Sequence, residues 1–336
     1  MPTSDGVADT QPTDGPGPRG LVTVANDRVV DSLIALLESV RRWHGDELPV
    51  AVVPFDERIA GVKRCLTSFD FARLHPDPVA IRRWDAVMDR ARPDRRDPRT
   101  NRLSGCHRKL VAFDGPFERF VVCDADVILL SPLDSIWEHL EENDLVSYDY
   151  QYKEPQYVYD LDALERWLPR EAADDVFCAG FFASRRGLFA AEALEPVLVE
   201  LEEGARAVFK PSGAEQPLIN YLVQKFGLRH RNLAKFLPQE ERVGNAVTST
   251  HFRFDGETMW DGERRLLYLH YVGVSGEAFR EAVAGLEPRD LPYADVFLHY
   301  RFAGGRPRWT ETMRRRIVSA PRRMRRRWRR SEGRFA

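Results

Sequence analysis

The sequence predicts an α/β fold with a mixed, mostly parallel sheet between helices. Three observations predict it. An apolar run, a helical period and a second apolar run follow one another between Leu21 and Val53, which reads as a βαβ unit. A later apolar run, Phe120-Val121-Val122-Cys123, stops at the triplet Asp124-Ala125-Asp126, as a strand reaching a polar edge does. The chain has 336 residues, 43% hydrophobic and 30% charged, enough for one large α/β domain or two smaller ones.

In order, Leu21 to Ala25 is the first strand, and Val30, Leu33, Ile34, Leu37 and Val40 recur at helical spacing. Pro49 opens the second strand, Val50 to Val53. A helical piece spans Ile81 to Met88. The charged, Pro- and Arg-rich stretch from Arg90 to Arg102 then reads as a solvated connection, with a cover over a site as the alternative. Val127 to Leu130 extend the strand of Phe120 to Cys123, Ser131-Pro132 terminate it, and a helix begins near Leu133. Further on lie a strand at Phe181 to Ala183, helices at Ala191 to Leu201 and Gln216 to Val223, and a strand at Leu266 to Leu269. No internal repeat is present.

The ends differ from this body. Residues 1–20 are polar and rich in Pro, Gly, Asp and Thr, which predicts a disordered leader without the apolar run of a signal peptide. No run approaches the ~20 apolar residues of a membrane helix. Residues 306–336 carry thirteen arginines against Glu311 and Glu332, so a net charge of −2 conceals an acidic body and a basic tail. Met313, Ile317, Ala320 or Pro321, Met324 and Trp328 recur among the arginines, a pattern suited to an anionic membrane surface. A solvated tail and a nucleic-acid patch are the rival readings, nucleic acid being the least favoured. Cys65, Cys106, Cys123 and Cys178 are scattered, without metal-type spacing. They suit a reducing, cytoplasmic setting, with Cys123 and Cys178 as buried thiols. The folded domain is placed at residues 21–305.

The chemistry concentrates at Asp124 and Asp126. Side chains alternate along a strand, so both carboxylates can face one way at its carboxyl end, where open α/β sheets bind ligands. Two carboxylates there make a hard oxygen site for Mg²⁺ or Mn²⁺, and such an ion neutralises charge on a leaving diphosphate. Solvated turn residues are the plain alternative. His270 follows the apolar run Leu266 to Leu269, so it too sits at a strand end, as a metal ligand or as a hydrogen-bonded core histidine. Lys109 can meet a phosphate or form a salt bridge on its helix. Gln216 can touch a sugar or be a helix residue capped by Ser212. Glu215 can orient hydroxyls or favour a helix N-terminus, and Asn26 can hold a nucleoside or turn the chain.

From Leu21 to Gly273 the chain resembles glycosyltransferase family 8, whose members have the GT-A nucleotide-diphospho-sugar transferase fold. Val22-Thr23-Val24-Ala25-Asn26 resembles the first strand and nucleoside loop, Lys109-Leu110 the basic residue before the metal motif, and Asp124-Ala125-Asp126 followed by Pro132-Leu133-Asp134 the metal motif and its continuation. Cys178-Ala179-Gly180 resembles an Asn-Ala-Gly strand near the sugar. Glu215-Gln216 with Asn220 resembles an Asp-Gln…Asn helix, Leu237-Pro238 with Asn245 a Leu-Pro…Asn stretch, and His270-Tyr271-Val272-Gly273 a His-Tyr-x-Gly motif. The resemblance implies donor contacts at Ala25, Asn26, Lys109, Asp124, Ala125 and Asp126. It also implies Mn²⁺ or Mg²⁺ at Asp124, Asp126 and His270, and action on the sugar by Glu215 and Gln216. A nucleotide diphosphate sugar, UDP-linked by preference, is then the donor. The acceptor is a glycan, a lipid-linked group or a small molecule, and transfer retains anomeric configuration. Cys178 and Glu215 depart from the family's Asn and Asp, and Val274-Ser275-Gly276 replaces its Lys-Pro-Trp.

Two other readings stand beside this one. Four apolar residues before Asp-x-Asp also resemble haloacid-dehalogenase-type phosphatases, with Asp124 as nucleophile and Asp126 as general acid/base; that motif normally opens its domain, and here a βαβ region precedes it. A non-catalytic protein binding anionic surfaces through its tail is the third. The aromatic-rich stretch from Tyr148 to Tyr159 and the stretch from Asp94 to Arg102 are expected to line or cover the acceptor side, with core packing an equal alternative for the rings.

Overall fold

Alternating apolar side chains build one central sheet with a packed layer on each face. The computed structural model describes residues 18–95, 104–286 and 290–305. The chain opens with β1 (Arg19–Ala25), α1 (Val30–His44), β2 (Val50–Pro54), α2 (Ala60–Leu66), β3 (Ala72–Leu74) and α3 (Pro78–Ala91). A 3-10 helix (Gly105–Phe113) leads into β4 (Arg119–Cys123), β5 (Val127–Leu129), α4 (Asp134–Glu142) and β6 (Leu145–Ser147). After α5 (Leu161–Leu164) come β7 (Phe181–Arg185), α6 (Ala191–Glu202), α7 (Gln216–Lys225), β8 (His230–Asn232) and α8 (Leu233–Phe236). Three short strands follow, β9 (Arg253–Phe254), β10 (Met259–Asp261) and β11 (Arg264–Arg265), then β12 (Tyr268–His270), α9 (Gly276–Val283) and α10 (Ala294–Arg301).

Seven strands pair in the order β3-β2-β1-β4-β7-β6-β8. Every pairing is parallel except those of β7, which runs against both β4 and β6. This is the mixed, mostly parallel sheet that the sequence predicts. Period-2 alternation sends Val22, Ala51, Val53, Phe120, Val122 and Phe182 to one face, where α3, α6 and α7 cover them. Leu21, Val50, Val52, Val121, Cys123 and Phe181 go to the other, under α1, α2 and α4. Each large side chain buried this way contributes about 1.5–3 kcal/mol of transfer free energy. A third cluster, with Ile128, Leu130, Leu269, Tyr271, Phe279, Phe297 and Tyr300, holds β5, β12, α9 and α10 together.

Local signals set the helix bounds. Asp77 caps α3 by accepting from the backbone N–H groups of Val79 and Ala80, and Pro78 occupies the first turn. Helix α1 stops at Gly45, whose φ of 58° suits glycine.

Several sequence-based expectations shift. Val127–Leu129 is a separate strand, β5, which pairs antiparallel with β12 and not as an extension of β4. The reason is a turn: the Val127 N–H donates to the Asp124 carbonyl at 3.0 Å, which bends the chain at the acidic triplet. The strand expected at Leu266 to Leu269 lies at Tyr268–His270, because the Leu266 N–H turns aside to the Met259 carbonyl. In the stretch read as a solvated connection, Arg92 is only 2% exposed; residues 96–102 of it lie outside the described residues. Nearly all of the predicted leader, residues 1–17, and the basic tail, residues 306–336, lie outside them too. Among the described residues no helix is long and apolar enough to cross a membrane. The four cysteines are free; Cys123 is buried as expected, but Cys178 is only partly so.

Candidate functional site

The two aspartates sit on the turn beyond β4, not on the strand itself as side-chain alternation predicts. The Asp124 N–H donates to the Gly180 carbonyl at 2.8 Å, tying this turn to the start of β7. His270 ends β12, opposite Val127. Its own N–H donates to the Asn245 carbonyl at 2.7 Å, and the Tyr271 N–H donates to the Asp126 carbonyl at 3.1 Å. These backbone bonds bring ligand atoms of Asp124, Asp126 and His270 within 4.8 Å of one another. His270 Nε2 lies 3.5 Å from Asp126 Oδ1. Opposite them Gly180 leaves room that a side chain would fill: a Cβ there would stand 2.3 Å from His270 Cε1 and 3.1 Å from Asp124 Oδ2. Two carboxylates, one imidazole and a cradle open only to glycine fit a divalent cation such as Mn²⁺ or Mg²⁺.

A buried cation flanks this cluster. Lys109 is 2% exposed and lies on the 3-10 helix Gly105–Phe113 in place of the expected α-helix. Its Nζ is 2.5 Å from Asp124 Oδ1 and 2.7 Å from Glu215 Oε1, and it donates to the Ala179 carbonyl at 3.2 Å. Desolvation alone would lower the Lys109 pKa; the Asp124 and Glu215 carboxylates outweigh it and hold the amine well above its ordinary value. Desolvation would likewise raise Glu215, and Lys109 reverses it, keeping that carboxyl below its usual range. For Asp124 desolvation prevails over Lys109, with Asp126 adding to it, and the carboxyl is raised. Asp126 is lowered, because His270 overcomes its desolvation, and His270 is correspondingly raised by Asp126 against its own burial. The site thus holds unlike protonation demands a few ångströms apart.

The remaining predicted residues fall beside this centre. Gln216 begins α7, and its Oε1 accepts from the Ala179 N–H at 3.3 Å. Ser212 does not cap that helix: Glu215 occupies the N-cap position and makes no capping hydrogen bond, its carboxylate being held by Lys109. Asn220 clamps Phe177, donating to its carbonyl and accepting from its N–H, both at 2.9 Å. Cys178 Sγ approaches His270 Nδ1 at 3.9 Å. Ala125 lies between the two aspartates, 8% exposed. Ala25 ends β1, the strand beside β4, and Asn26 follows it. Asn26 turns the chain, its Oδ1 accepting from the Arg28 N–H at 3.0 Å, while its Nδ2 donates to Asp56 Oδ2 at 2.9 Å. Among the described residues no hydrogen bond or ion pair joins Ala25 or Asn26 to the acidic cluster.

Asp149 escapes the sequence reading. It follows β6, is 4% exposed, accepts from the Gln151 N–H at 2.8 Å and leaves Oδ2 without a partner. Burial pushes its carboxyl up to about 6. The signal was present in Leu145-Val146-Ser147-Tyr148-Asp149, an acidic residue just past an apolar run, as at Asp124. Of the aromatic stretch around it, Tyr148 and Tyr159 are core residues and Tyr157 is 58% exposed, so the expectation that the whole stretch lines a site is corrected for the first two.

No family model matches this sequence, and no curated protein matches it. Solved structures do. The chain is similar to the bifunctional glycosyltransferase WbbM in its apo form, at 13% identity and a TM-score of 0.47, over 91% of this chain and 53% of that one, about half its length. It is similar to an active-site mutant of LgtC at 15% identity and a TM-score of 0.49, over 82% of this chain and 98% of that one. Similarity to the glycosyltransferase GlyE of Streptococcus pneumoniae stands at 12% identity and a TM-score of 0.45, over 90% of this chain and 63% of that one.

Proposed function

We propose that residues 21–305 form a GT-A glycosyltransferase domain that moves a sugar from a nucleoside diphosphate donor, a UDP-sugar by preference, to an acceptor hydroxyl with retention of configuration. The observation that carries this reading is the convergence of Asp124, Asp126 and His270 at the carboxyl edge of the sheet, with Lys109 and Glu215 paired beside them. Asp124, Asp126 and His270 would hold Mn²⁺ or Mg²⁺, which stabilises the negative charge of the departing nucleoside diphosphate. Lys109 keeps Asp124 and Glu215 in place and adds positive charge beside the diphosphate. Gln216 and Glu215, at the start of α7, face the transferring sugar, and Ala25, Asn26 and Ala125 bound the nucleoside. During transfer the anomeric carbon–oxygen bond to the diphosphate breaks with its electron pair going to the diphosphate oxygen, the acceptor oxygen bonds to that carbon, and the acceptor proton passes to the departing diphosphate.

The acceptor is a glycan, a lipid-linked group or a small molecule. The arginine-rich residues 306–336 are proposed to draw the enzyme to an anionic membrane surface on the cytoplasmic side.

Calorimetric titration with UDP and GDP, with and without Mn²⁺, tests this reading. Binding of one nucleoside diphosphate that needs Mn²⁺, and is lost in Asp126→Ala, is the expected outcome. Folded wild-type protein that binds neither nucleotide in the presence of metal would sink it.

A further inference from the structure

Arg92 is a buried cation outside the metal cluster. It follows α3, is 2% exposed, and spends all five guanidinium N–H donors on four residues, Asp94 and three of the turn 211–214. Nη1 donates to the carbonyls of Gly213 at 2.8 Å and Ala214 at 3.3 Å. Nη2 donates to the Pro211 carbonyl at 3.3 Å and to Asp94 Oδ2 at 2.8 Å, and Nε donates to Asp94 Oδ1 at 2.9 Å. Its guanidinium also lies over the Phe209 ring, 5.8 Å from the centroid, while Arg95 Nη1 adds a bond to the Pro211 carbonyl at 3.1 Å. Every hydrogen bond that Arg92 makes across the fold therefore goes to the turn 211–214, and the next two residues are Glu215 and Gln216.

We propose that Arg92 is a positioning residue that sets Glu215 and Gln216 against the donor; in this it rests on the function proposed above. The start of α7 has no side-chain cap of its own. Gly213 seats closely on Pro217, where a Cβ would stand 2.6 Å from the proline ring, so the turn packs directly against the first turn of α7. Glu215 in turn holds Lys109, and Lys109 holds Asp124. One planar fork thus fixes the far end of the charge chain that reaches the metal ligands. Lysine cannot replace it, because an ammonium offers three donors from a single point and not a planar array.

The test uses the full chain and Arg92→Lys, read in three ways. Cys106 reports where Glu215 stands: desolvation first, and then the negative charge of Glu215, push its thiol up to about 12. Alkylation by iodoacetamide, followed by peptide mapping, resolves Cys106 from the other thiols. The expected result is a Cys106 alkylation rate about tenfold higher in the variant, with circular dichroism unchanged. Mn²⁺-dependent UDP binding should stay near wild type while kcat for hydrolysis of UDP-glucose or UDP-galactose falls about a hundredfold and KM changes little, as expected of a misplaced group. A folded Arg92→Lys with wild-type Cys106 protection and kcat overturns the proposal, as does a loss shared equally by UDP binding and thermal stability. Should Arg92→Lys not fold, Asp94→Asn weakens the same fork and is judged by the same readouts. Wild type that binds no nucleotide defeats the glycosyltransferase reading alone, since Cys106 protection still reports the hold of Arg92 on the turn.

Discussion

Strand β4 carries an ion pair at each end, and the two ends behave as different materials. At its amino end Arg119 pairs with Glu141, which also meets Arg19 at 3.1 Å; Glu141 is 47% exposed, and an open hollow beside it is lined by Glu118, Arg119, Arg185 and Arg186. At the carboxyl end Lys109 is enclosed with Asp124 and Glu215. Water screens the first set and rewards it little, whereas the second was taken out of water at a cost that only a complete set of partners offsets. Apolar packing of the same volume would serve stability at least as well at the carboxyl end, so this group is not explained by stability. The hollow at the other end, although concave, has each arginine facing a carboxylate and offers no unspent charge.

The contrast makes graded predictions. Lys109→Met strands the buried Glu215 and the half-buried Asp124 and should lower unfolding free energy by about 3 kcal/mol in urea denaturation. The triple replacement Lys109→Met, Asp124→Asn, Glu215→Gln should lose less than the single one; an equal or greater loss would show that packing and not charge is at stake. Asp149→Asn tests a buried carboxyl that has no ion pair among the described residues. Because the folded pKa is about 6 against an ordinary 3.8, the native state binds the extra proton between those values, and wild-type stability falls as pH rises through that window. Relative to wild type, Asp149→Asn should therefore gain up to about 3 kcal/mol between pH 4 and pH 7, measured by denaturation at each pH. Arg119→Ala should cost less than about 1 kcal/mol, and less still in high salt.

Much of this was legible in the chain before folding. The βαβ opening, the strand before Asp124 and the placement of His270 at a strand end follow from periodicity, which survives because both faces of the sheet are buried. Strands of two or three residues, such as β6, β8 and β9, were not legible: so short a run shows no period, and its pairing comes from distant partners. The same limit hid Arg92, whose residue type and neighbours read as a solvated loop until the turn 211–214 arrives from elsewhere in the chain. The meeting of Asp124 and Asp126 was foreseen for the wrong cause, because alternation along a strand and a tight turn both bring the side chains of residues two apart to one side.

One consequence of the reversed strand β7 concerns how such a protein can change over evolutionary time. Since β6 runs with β4 and β7 runs against both, residue 148 leaves the sheet and residue 180 rejoins it at the same edge, over the metal cluster. The intervening excursion is a cassette: its two ends are anchored to the scaffold side by side, and it carries Asp149, the exposed Tyr157 and Cys178 with it. Its buried members, Tyr159, Leu164 and Phe177 among them, belong to the core, so an insertion at the exposed stretch around Tyr157 is the change that leaves every pairing of the seven-stranded sheet intact and alters only the surface of this edge.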